Sequence, residues 1–77
     1  MKDIKRRHAP YTKFKALMVE RGWNQRRLAK ALNKSTPVIN QKLNGTGGDF
    51  SLSEIRVICS LFRISADDYF LHNEVSN

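Results

Sequence analysis

The stretch QRRLAKALNKSTPVINQKLN, Gln25 to Asn44, decides how this chain is read. Leu28, Ala29 and Leu32 recur at helical spacing opposite Arg26, Arg27 and Lys30, which predicts a short amphipathic helix from Gln25 to about Leu32 with Asn24 as its N-cap. Asn33 follows, and asparagine is the residue besides glycine that most readily takes the left-handed conformation of a sharp turn. Ser35 and Thr36 are both N-cap residues, and Pro37 fits only in a first helical turn. A second helix is therefore expected from about Thr36 to Asn44, burying Ile39 and Leu43 and stopping before Gly45. Ala29 supplies the small residue needed where the two helices approach, and Ile39 the apolar residue that sets their crossing.

Outward from this pair, the pattern stays helical. Tyr11, Phe14, Leu17 and Met18 share one face of a helix expected over residues 11–21, with Gly22 at its left-handed cap. Downstream, residues 44–50 contain three of the four glycines and read as a loop. Ser51-Leu52-Ser53-Glu54 has the spacing of a capping box and opens a helix over about 52–62. Its apolar residues, Leu52, Ile55, Val57, Ile58, Cys59, Leu61 and Phe62, exceed one stripe, which predicts a central helix contacted on several sides. A last short helix is expected from Ser65 through Leu71. Residues 1–10 read as a flexible basic arm, 11–71 as one all-α domain of five helices, and 72–77 as a polar tail.

At 77 residues the chain forms one small domain, which buries only roughly 60–65% of its unfolded surface and has little apolar area left over for a deep substrate cavity. No catalytic constellation, phosphate-cradling glycine loop or metal-ligand spacing is visible, so neither enzymatic activity nor a metal or other cofactor is expected. The single Cys59 lies in an apolar run and reads as a reduced core thiol. No apolar stretch approaches the length of a membrane span, and a soluble cytoplasmic location is expected. The formal charge is +7, and its placement is uneven: residues 1–45 carry +10, residues 46–77 carry −3. A collected basic surface points to a polyanion, nucleic acid before membrane.

The spacing resembles that of the phage repressor and Cro family, the xenobiotic-response-element type of helix-turn-helix. It is carried by Gly22-Trp23-Asn24-Gln25, Leu28-Ala29, Ile39 through Leu43-Asn44-Gly45, and Ile64-Ser65, over about residues 11–71. Asn33 stands where the family most often has Gly, and Lys42 where many members bury an aliphatic, with Leu43 expected to take over that packing. The resemblance implies a five-helix, lambda-repressor-like DNA-binding domain bound to an operator. It also implies that Gln25 contacts a phosphate and braces a side chain of the following helix, although the usual partner position holds the short Thr36. A Cro-like protein or short repressor without a cleavable C-terminal domain is expected, associated with the nucleoid.

With Ile39 and Leu43 facing inward, Thr36, Pro37, Asn40 and Gln41 face outward and are the expected base readers. Asn and Gln pair with adenine, and Thr and Pro offer apolar contact to a thymine methyl. Asn24, Gln25, Arg26, Lys34, Lys42, Asn44 and Thr46, with Arg6 and Arg7 of the arm, are the expected phosphate contacts. Trp23 beside the first helix cap reads as a core or hinge residue rather than a base-stacking platform. A domain of this size reads few base pairs, so a homodimer on a palindromic operator is expected. Val57, Leu61, Tyr69, Phe70 and Leu71 are its candidate surface, and would serve equally to close the core. An antagonist protein and RNA polymerase are candidate further partners. Two other functions fit the same residues: an antitoxin or adaptor that uses the fold to hold a protein, and a non-specific nucleic-acid or membrane-surface binder driven by the arm.

Overall fold

Local capping chemistry sets the helix boundaries. In the computed structural model, which describes residues 7–71, the helices are α1 (Thr12–Glu20), α2 (Gln25–Leu32), α3 (Thr36–Asn44), α4 (Leu52–Phe62) and a final π-helical segment, Asp67–Leu71. The described residues hold five helices and no strand, the all-α fold expected. The Asn24 side chain accepts from the Arg27 N–H at 2.8 Å, and Ser35 Oγ accepts from the Val38 N–H at 3.3 Å, with Pro37 in the first turn of α3. Ser51 and Glu54 close their capping box reciprocally, at 3.1 Å and 2.9 Å. Asn33 takes the left-handed conformation at the end of α2, φ 58°, and Gly45 at the end of α3, φ 78°. α4 ends the same way on Arg63, φ 57°, a residue with a Cβ and no local side-chain reason to be there.

Phe14, Leu28, Ile39, Leu43, Ile58 and Phe62 are fully buried and join all four α-helices. Above them lies an aromatic cluster. Phe14 meets Phe62 edge-on at 5.0 Å and Phe70 at 5.2 Å, while Phe70 also contacts Tyr11 at 5.0 Å and Phe50 at 5.8 Å. The π-helical segment thus delivers Phe70 into the core against α1 and the loop before α4. Phe70 is only 5% exposed and is not part of any free surface, which corrects its place among the expected dimer residues. The expected breadth of α4 is corrected too. Only Glu54, Ile58 and Phe62, one residue per turn, are buried on it, while Leu52, Val57 and Leu61 are exposed. α4 packs mainly by this stripe, with Ile55 and Cys59 half-buried beside it, and leaves Leu52, Val57 and Leu61 in water.

Glu54 is the one buried charged residue among those described. Burial by itself raises a carboxyl pKa. Here hydrogen bonds from Lys42, at 2.8 Å and 3.0 Å, and from the Ser51 N–H, with the added charge of Lys34 at 3.8 Å, outweigh it and hold Glu54 below its ordinary value. The carboxylate thereby ties the last turn of α3 to the first turn of α4.

A group whose folded pKa is lowered contributes stability that is complete above its unfolded pKa, about 4.3, and is lost as pH falls through the folded value. Glu54→Gln is therefore expected to lower unfolding free energy at pH 7 by about 1.5–3 kcal/mol, the worth of a charge-assisted hydrogen bond. In urea titrations the gap between variant and wild type closes below pH 4; a gap independent of pH overturns the charge pairing. Arg63→Gly is expected to raise stability by about 0.5–1 kcal/mol, because glycine removes the left-handed strain at some entropic cost. A lowered thermal midpoint in that variant contradicts the assignment of strain to Arg63.

Candidate nucleic-acid interface

α3 owes its outward face to the two side chains that hold it. Ile39 and Leu43 are fully buried, so Thr36, Pro37, Asn40 and Gln41 all lie exposed on the other side of the helix. The amino end of α2 abuts this face. Asn40 Nδ2 donates to Gln25 Oε1 at 3.1 Å, Asn44 Nδ2 donates to the Asn40 carbonyl at 2.9 Å, and Lys15 Nζ donates to Asn44 Oδ1 at 2.5 Å. A polar ladder therefore runs from α2 across α3 to α1. Gln25 does brace a side chain of α3, and its partner is Asn40, one turn beyond Thr36. Lys15 escaped the sequence reading, because its partner lies 29 residues away and nothing local marks it.

The cations divide by what already occupies them. Arg26, Lys30 and Lys34 border a polar depression of about 450 Å³ with Ala29, Asn33, Ser35 and Thr36, on the turn between α2 and α3. Arg27 faces away from it and stacks on Trp23 at 4.0 Å, and Trp23 in turn packs on Phe62 at 4.6 Å. Trp23 is accordingly half-buried against the core, as a hinge residue between α1 and α2. Lys42, expected at a phosphate, has its side chain 13% exposed and its ammonium on Glu54, so that expectation is corrected: the charge is neutralised inside the fold. Lys34 sits within 3.8 Å of the same carboxylate but is 46% exposed.

The chain before α1 is docked, not free, from Arg7 onward. The backbone N–H of Arg7 and of His8 both point to the Gly45 carbonyl, and the Tyr11 N–H donates to the Leu43 carbonyl at 2.9 Å. Tyr11 Oη donates to Asp49 at 2.6 Å, and the His8 ring lies 5.1 Å from that of Tyr11. Residues 7–11 thus cross the carboxyl end of α3 and place Arg7 near Asn44 and Thr46. Arg6 and the rest of the expected arm, like the tail 72–77, lie outside the described residues.

The family of the Cro/C1-type HTH DNA-binding domain matches residues 13–72, most of the chain. The chain belongs to this family. No curated protein and no solved structure matches it. It is a DNA-binding helix-turn-helix domain, and the matched residues take in α2, the turn at Asn33 and α3. No helix among its described residues is long and apolar enough to cross a membrane.

Away from the α3 face of this Cro/C1-type domain, Val57, Leu61 and Leu71 are 41%, 48% and 59% exposed. Tyr69 is half-buried, with Lys13 Nζ above its ring at 4.9 Å. Cys59 is half-buried, and burial raises its thiol pKa.

The crossing at Gly45 is tight: a Cβ there would stand 2.0 Å from the His8 carbonyl oxygen, whereas one at Gly22, of similar φ (76°), would meet nothing within 4 Å. Gly22→Ala is expected to cost about 1–2 kcal/mol, the left-handed penalty by itself. Gly45→Ala is expected to cost more and to abolish hydrogen-exchange protection of the Tyr11 amide. Equal costs in urea unfolding overturn the docking of residues 7–11 on α3.

Proposed function

We propose that this chain is a sequence-specific double-stranded DNA-binding transcriptional regulator of the phage or mobile-element type. It reads the major groove with α3 and represses by covering a promoter. The observation that carries this reading is the braced outward face of α3: four exposed side chains able to address base edges, one of them held by Gln25 of α2. α3 has nine residues, hence about 13 Å of length, and a helix of that diameter enters a groove about 12 Å wide. Thr36, Pro37, Asn40 and Gln41 are the base readers. Asn40 and Gln41 supply paired donors and acceptors, and Thr36 and Pro37 supply apolar contact to thymine methyl groups.

Around them Asn24, Gln25, Arg26, Lys34, Asn44, Thr46 and Arg7 contact phosphates and fix register. Lys15 joins this set through Asn44, and the unpaired N–H groups opening α2 and α3 add partial positive charge. Lys42 is left out, since Glu54 neutralises it. Two copies pair through the exposed apolar strip of Val57, Leu61 and Leu71, with Tyr69 at its edge, and present two α3 helices to half-sites one helical turn apart. Repression then follows from occupancy, set by concentration and by dimerisation.

Selection of bound sequences from random duplexes at physiological salt is expected to return a palindromic consensus; enrichment of no sequence overturns sequence-specific reading. About six phosphates neutralised per subunit give a slope of log K against log salt of roughly −5 per subunit. On the selected site, Asn40→Ala is expected to cost about 1–3 kcal/mol and to relax preference at one position, whereas Arg26→Ala weakens all sequences alike. If both variants weaken every sequence equally, α3 does not face the bases in this orientation.

A further inference from the structure

The chain leaving α3 folds back over Gln41. The Gly45 and Thr46 N–H groups both donate to the Gln41 carbonyl, at 2.9 Å and 3.1 Å, which brings residue 47 directly over the Gln41 side chain. A Cβ at Gly47 would lie 2.5 Å from Gln41 Oε1, 2.8 Å from Gln41 Cβ and 3.1 Å from Gln41 Cδ. Gly47 is not in the left-handed region, unlike Gly22 and Gly45, so no positive φ calls for glycine there. What requires glycine at this position is the side chain of Gln41. Gly48, its neighbour, also lacks a positive φ and has open space where a Cβ would go.

We infer that Gly47 is a positioning residue for base recognition: its bare α-carbon is the surface against which the Gln41 amide is laid, and it selects the rotamer with which Gln41 meets DNA. The inference rests on the reading of Gln41 as a base contact. Gln41 is exposed, and an exposed glutamine samples many rotamers unless something confines it. Because a Cβ at residue 47 would clash along Cβ, Cδ and Oε1, the Gly47 backbone lies close beside the whole Gln41 side chain and hems it in on one side. A reading group held in place before binding loses less freedom on the duplex and discriminates more sharply, because a mismatched base cannot be met by rotation. An added methyl at residue 47 displaces that amide without touching the charge of the interface.

The test compares Gly47→Ala, Gly48→Ala and Gln41→Ala on the selected duplex and its single-base variants. Gly48→Ala is expected to match wild type. Gln41→Ala and Gly47→Ala are expected to lose discrimination at the same single base pair, by about tenfold or more. Gly47→Ala keeps the salt slope of wild type, and the double variant discriminates no worse than either single one. Loss of discrimination in Gln41→Ala but not in Gly47→Ala overturns the positioning role and leaves the base contact standing. Loss in neither variant overturns the base contact itself, and the inference with it. Should Gly47→Ala not fold, the free wild-type protein still decides. Nuclear Overhauser contacts between the Gly47 α-protons and the Gln41 side chain, with one χ1 rotamer, support the inference, and averaged rotamers without those contacts overturn it.

Discussion

A nine-residue helix does not hold itself together in water, so α3 exists because Ile39 and Leu43 are buried. Those two side chains decide which residues of α3 point outward, and every functional property of the domain inherits that choice. They share one buried core with Leu28 and Ala29 of α2, where Ala29 is small enough to let the helices approach, and with Phe14 and Phe62. The aromatic cluster around Phe70 contributes no functional group, yet it closes the opposite end of this core.

Two contacts refine what the apolar seat leaves loose. Ile39 and Leu43 fix rotation about the α3 axis, but a helix held by one stripe can still rock. Glu54 opposes that at the carboxyl end by gripping Lys42, and the Gln25–Asn40 bond opposes it on the flank that faces α2. The first is a charge pair in a nearly buried setting, the second an exposed amide pair, so they differ in what they supply. Removing one partner of the buried pair is costly, while the exposed amide bond adds little to stability and acts mainly on orientation. The same carboxylate lies within 3.8 Å of Lys34, so α4 subtracts positive charge from the helix-turn-helix while it fastens it. Further positive charge lies on Arg26, Arg27 and Lys30 of α2, and on Arg7 and Lys15 at the far end of α3.

Features that depend on neighbours in sequence were legible before the structure. Asn24, Asn33, Ser35 and the Ser51–Glu54 box each act within three or four residues, and each helix they bound is where they put it. Contacts that cross the chain were not. The partner of Gln25 is 15 residues away, that of Lys15 is 29, and Lys42 reads as a free surface cation until α4 brings Glu54 beside it. The excess of apolar residues on α4 suggested burial on several sides, but hydrophobicity by itself does not say whether a face is buried within the chain or left exposed. Val57 and Leu61 are exposed, while Phe70, on a segment too short to show periodicity, is in the core. Arg63 was invisible for another reason: its left-handed φ is imposed by the packing of Phe62 and Ile64 on either side, against its own preference.

The four outward residues of α3 differ in how much they need to be held. Proline has no side-chain rotamers to lose, and threonine, branched at Cβ, is stiff at χ1. Thr36 and Pro37 stand exposed at the helix start, and lose little by it. Asparagine and glutamine are the ones with torsional freedom, and these are the two that the fold confines: Asn40 by a hydrogen bond from below, Gln41 by the close approach of Gly47 from the side. Restraint is placed where entropy would otherwise be lost on binding. In the proposed recognition the loop after α3 therefore takes a part that the bareness of its glycines conceals. Gly45 lets the chain turn back, and Gly47 lets it come close beside the Gln41 side chain; both tasks demand the absence of a Cβ, the first for conformational and steric reasons and the second for steric reasons alone.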